Sequence, residues 1–159
     1  MVIATAIGDG AWMVDRLRAA AVFVSVPALA IATAWWIGDL SSTLDDPDYM
    51  LRPIDLSSET SWAVGFVATA ACLVGAAAAV LLTRSGCCGR RLVAVLVPWW
   101  VLAVYLGLGY RIVTAGVIGA NIGGGLFVLT SFVVVPFAIG SSVAVWWATR
   151  RRVVGPGSI

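Results

Sequence analysis

The chain contains no histidine. That absence excludes bis-histidine haem ligation, imidazole general-base chemistry and the usual zinc sites. Lysine is missing as well, all 10 basic residues being arginine, which removes Schiff-base chemistry and phosphate-loop lysines. Cysteine is scarce: Cys72, Cys87 and Cys88 form no C-x-x-C pair, so no disulfide framework is expected. Charged residues make up 11% of the chain, and none falls inside its four long apolar runs. Ionisable groups within a bilayer cost about 2.5–3.5 kcal/mol each on insertion scales and are retained mainly to relay protons or bind ions. Their absence argues against a pump or a proton-coupled exporter.

What the chain has instead is apolar length. It is 61% hydrophobic over 159 residues, with a mean hydropathy of +1.00, and belongs with polytopic membrane proteins. The run Trp62–Thr83 is long enough to cross about 30 Å of hydrocarbon. Its middle is small, and Ala71, Gly75 and Ala79 form a small-xxx-small seam that lets helix backbones approach closely in lipid. Phe66, Leu73 and Val80 make a bulky stripe that faces lipid or fills gaps. We take this run as the central helix against which the others pack.

Three further spans are expected at about 19–37, 92–110 and 126–148, carrying Pro27, Pro98 and Pro136 in their interiors. The expected fold is an all-α integral membrane protein, an antiparallel up-down bundle of four transmembrane helices. Residues 1–18 form a leader and residues 149–159 a tail. A cleaved signal peptide is the alternative for the first run, with Ala32-Thr33-Ala34 as its site, but the apolar stretch continues past that tripeptide. Trp35-Trp36 and Trp146-Trp147 mark interfaces. Trp99-Trp100 sit near mid-span, where indoles fill interhelical gaps and their N–H groups need acceptors.

Charge decides orientation. Arg16, Arg18, Arg84, Arg90, Arg91 and Arg150–Arg152 flank one side, and Arg52 and Arg111 the other, which puts both termini in the cytoplasm. Arginine-only usage beside abundant Ala, Val and Gly is a GC-rich bacterial pattern, and the expected location is the bacterial cytoplasmic membrane. The outer loop 38–61 then carries six acids against Arg52. Asp45, Asp46 and Asp48 are of a type that suits hard cations but lack the D-x-D-x-D-G order, so no metal is expected. Together with Asp55, Glu59 and Arg111 they are read as a docking surface for a basic partner. The glycine-rich segment 111–125 is expected to be a short interfacial or re-entrant element. There, backbone N–H groups beside Arg111 cradle an anion, or Arg111 pairs with the acidic loop.

Cys87-Cys88-Gly89, between the second and third spans, resembles the Cys-Cys-Gly in the inner loop of tetraspanins, which also have four spans. The likeness ends there: tetraspanins carry their large outer loop between spans three and four, whereas here it precedes span two. The membrane-embedded glutamate of small four-helix multidrug transporters is also missing.

The expected role is therefore that of a non-catalytic accessory or assembly subunit of a larger bacterial membrane complex, or a self-associating one. No enzyme activity, cofactor or nucleic-acid partner is expected, and the lipid bilayer is the one certain surrounding. The alternative is a small oligomeric transporter or channel with the glycine segment lining its path. A third reading is an immunity or exclusion protein.

Overall fold

The computed structural model describes residues 3–41, 49–117 and 120–151, and it is all-helical. Its elements are α1 (Ile3–Ile37), α2 (Ser58–Arg84), α3 (Cys87–Thr114) and α4 (Ala120–Arg151). Each contains a stretch long and apolar enough to cross a membrane. The spans read from the sequence fall inside these helices; α2, α3 and α4 run further at both ends and α1 at its start.

The extra length has local causes. Polar residues do not stop a helix that can pair them, and near the start of α1 Arg18 meets Asp15 at 3.0 Å while Arg16 lies over the Trp12 ring. At the far end, Gly38 closes α1 in the left-handed conformation (φ 75°) that a side chain would disfavour. Ser57 caps α2, its hydroxyl accepting from the Thr60 N–H, with Glu59 in the first turn and Arg84 in the last. Ser85 and Gly86 (φ 136°) then turn the chain into α3.

The glycine segment departs most from expectation. Arg111–Thr114 completes α3, and Ala120–Gly125 opens α4. Unpaired backbone in an apolar surround costs several kcal/mol per group, enough to override the low helix propensity of glycine. The resulting helices have 28 and 32 residues, or about 42 and 48 Å. Helices of that length tilt or protrude from a bilayer core.

The core lies among three helices. Val22 of α1, Ala78, Ala79 and Leu82 of α2, and Leu96 of α3 are buried together. Gly75 sits against Ser25 and the Ala21 carbonyl, and Trp35 lies across Gly65; yet α2 is not the centre of the bundle, because it does not touch α4, and α3 is the helix that meets the other three. Phe66, Leu73 and Val80 stay exposed on the opposite side. Ser25 joins all three helices. Its hydroxyl donates to the Val22 carbonyl at 2.7 Å and accepts from the Trp100 indole at 3.0 Å, and its carbonyl receives the Cys72 thiol. The mid-span Trp100 thus has the acceptor its indole needs.

Among the described helices α4 packs against α3 alone, and the loop residue Met50 lies on its Gly124. Gly109 admits the Phe127 ring, and the Tyr105 hydroxyl lies within 3.0 Å of the Phe127 carbonyl and of the Thr130 and Ser131 hydroxyls. Ser142 donates to the Val95 carbonyl. Neither α1 nor α2 touches α4 among the described residues.

Candidate functional site

The polar residues gather where α1 ends, α2 begins and α3 ends. The last four carbonyls of a helix lack intrahelical donors and carry partial negative charge. The last turn of α1 contains no basic residue of its own. Arg111, from the final turn of α3, supplies one: its Nε donates to the Ala34 carbonyl. Elsewhere on α3, Arg90 does the same for α2 by bonding the Thr83 carbonyl at 2.9 Å, and Arg91 reaches the Trp146 carbonyl of α4 at 3.2 Å. All three arginines of α3 therefore tie neighbouring helices together near their C-terminal ends.

The sequence reading set Arg111 beside the acidic loop or an anion; the hydrogen bond the structure shows is to the α1 carbonyl, with Asp39 of the loop near enough to feel its charge. Among the described residues the ion pair present is Arg18–Asp15, not one from Arg111 to the loop. Of the glycines beside it, Gly119 lies outside the described residues, and the Gly116 N–H donates to the Ser41 hydroxyl at 2.9 Å. Gly116 also carries the Tyr49 ring, and Gly124 the Met50 side chain. With the Leu51 N–H on the Val113 carbonyl at 3.0 Å, residues 49–51 of the α1–α2 connection are strapped onto the α3–α4 junction.

Beneath that strap lies a cavity of about 950 Å³. Ile31, Val64 and Leu106 line it from α1, α2 and α3, and Asp39, Arg52, Asp55 and Arg111 bring charge to it. A neighbouring cavity of about 590 Å³ shares Trp35, Asp39 and Arg111. The Ser41 hydroxyl and N–H hold the Asp39 carboxyl below the usual carboxylate range; partial burial opposes this, and the nearby Arg111 adds a smaller push in the same direction. Trp35, Trp36, Trp62 and Phe66 cluster at the rim with ring centroids 5.1–5.6 Å apart.

Of the docking residues read from the sequence, Asp45, Asp46 and Asp48 lie outside the described residues. Asp55 and Arg111 both line the larger cavity, while Glu59 sits exposed in the first turn of α2. Asp39 and Arg52 were visible as charges but not as members of a site. Only the fold brings them to the cavity that Arg111 lines. Among the described residues no three His, Cys, Asp or Glu side chains are grouped to hold a metal. The arrangement offers charges of both signs over an apolar floor, suited to binding. Compared with protein-family models, curated proteins and solved structures, the chain finds no match in any of the three.

Proposed function

We propose that the protein is a non-catalytic accessory or assembly subunit of a bacterial cytoplasmic-membrane complex, docked through α4. The observation that carries this reading is the isolation of α4. Among the described helices it packs on α3 alone, and Phe132, Val133 and Phe137 are each more than 70% exposed. A lipid-facing surface would have those properties too, but α4 also carries Gly140, Ala144 and Ala148 at four-residue spacing on exposed positions. A side chain at Gly140 would meet nothing within 4 Å. In α2 the same kind of seam is filled by α1, and in lipid such seams are where helices meet.

The proposed topology is antiparallel with both termini cytoplasmic. Contacts of Ser25 with Gly75 and of Trp35 with Gly65 support α1 and α2 running in opposite directions, and the arginine distribution supports the orientation. The channel alternative puts a re-entrant element at 111–125, where Arg111–Thr114 ends α3 and Ala120–Gly125 begins α4.

The test is extraction in mild detergent followed by co-purification and cross-linking. Wild-type protein brings a partner, or a second copy of itself, in fixed stoichiometry. Gly140→Leu with Ala144→Leu loses it while keeping the wild-type unfolding midpoint. A wild-type protein that runs as a monomer and cross-links to nothing in native membranes contradicts the proposal.

A further inference from the structure

The outer-end cavity has features that docking through α4 does not use. At about 950 Å³ it is at the upper end of the roughly 300–1,000 Å³ range of small-molecule sites. A bare ion would leave its apolar walls wet. Those walls come from the deeper turns of three helices, through Ile31, Val64 and Leu106. Its charged residues come from the helix ends and the loop: Arg52 and Arg111 against Asp39 and Asp55. Two cations and two carboxylates fit neither a purely anionic nor a purely cationic headgroup, since each would face a like charge.

We infer that this cavity binds one phospholipid with a zwitterionic, primary-ammonium headgroup. Its phosphate lies against Arg111 and Arg52, its ammonium against Asp39 and Asp55, and an acyl chain along Ile31, Val64 and Leu106. Arg111 is suited to the phosphate. Its Nε is fixed on the Ala34 carbonyl, which orients the guanidinium, and among the described residues that carbonyl is its one hydrogen-bond acceptor. Trp35 and Tyr110, also lining the cavity, are residues that favour the headgroup level of a bilayer. A primary ammonium donates hydrogen bonds to carboxylates, which a quaternary one does not. The inference rests on these helices crossing a membrane and is independent of what α4 docks.

Native mass spectrometry of the detergent-purified chain tests it. Four lipids with matched acyl chains are offered: phosphoethanolamine, phosphocholine and phosphoglycerol headgroups, and diacylglycerol. The phosphoethanolamine lipid is retained best, at least about tenfold over the phosphoglycerol lipid and diacylglycerol, as one or more charge-assisted hydrogen bonds require. Arg52→Gln and Asp55→Asn, both in the loop and outside the helix packing, each reduce retention about tenfold. Val64→Trp, which fills the cavity from α2 without touching a charge, abolishes it, and Arg16→Gln near the start of α1 leaves it unchanged. Equal retention of the phosphoglycerol lipid, wild-type retention by Val64→Trp, or displacement of the lipid by excess inorganic phosphate would each overturn the inference.

Discussion

Gly75→Leu is expected to destabilise the protein by about 2–4 kcal/mol, the sum of an overpacked contact and a broken intramembrane hydrogen bond. A Cβ at that position would overlap the Ser25 Cβ and stand 2.7 Å from its hydroxyl and 3.1 Å from the Ala21 carbonyl. Ser25 is too short to swing away, so α1 itself must move. That movement pulls the Ser25 hydroxyl from the Trp100 indole and so loosens α1 from α3 as well as from α2. Gly140→Leu is the matched control. It adds the same side chain to a helix interior where nothing lies within 4 Å, so its unfolding midpoint stays close to wild type. Unfolding in mixed detergent, followed by tryptophan fluorescence, measures both. Equal midpoints for the two variants would mean that the α1–α2 seam does not hold the bundle.

Tyr105→Phe is expected to release α4 without unfolding the other helices. The phenol is the main polar link between α3 and α4, sharing its hydroxyl with the Phe127 carbonyl and the Thr130 and Ser131 hydroxyls. Hydrogen bonds within membranes contribute about 0.6 kcal/mol on average and at most about 1.7, so removing this cluster costs about 1–2 kcal/mol. The phenyl ring still packs on Phe127, so what changes is the polar link and not the volume. Because α4 has no contact with α1 or α2 among the described residues, the loss is not shared across the bundle. Hydrogen exchange should rise along α4 and stay at wild-type levels in α1 and α2. A uniform rise in all four helices would show that α4 is coupled to the core by more than these contacts.

These two sites also mark what the sequence alone could and could not reveal. The close approach at Gly75 was legible because small-residue spacing is local to one helix, but that α3 rather than α2 meets the other three helices was not. Nor was the attachment of α4. In water a helix announces its packing face by an apolar stripe, but lipid is as apolar as a protein core, so a spanning helix is apolar all round. Phe132 and Phe137 look no different in sequence from Phe127, yet only Phe127 is packed between helices. The partner of Arg111 was hidden for another reason. Ala34 is 77 residues away and offers only a backbone carbonyl, which no residue type reveals. The glycine run misled because loop propensity measured in water carries less weight where unpaired backbone has no solvent.

The central claim is that the four apolar helices span a bilayer with the Asp39–Asp55–Arg111 end facing outward and the chain termini inward. Single cysteines report on it directly, introduced as Asp55→Cys or Arg150→Cys after Cys72, Cys87 and Cys88 are replaced by serine. With a membrane-impermeant maleimide on intact cells, position 55 is labelled, and position 150 reacts only once the membrane is opened. Labelling of both positions from the same side would contradict the account.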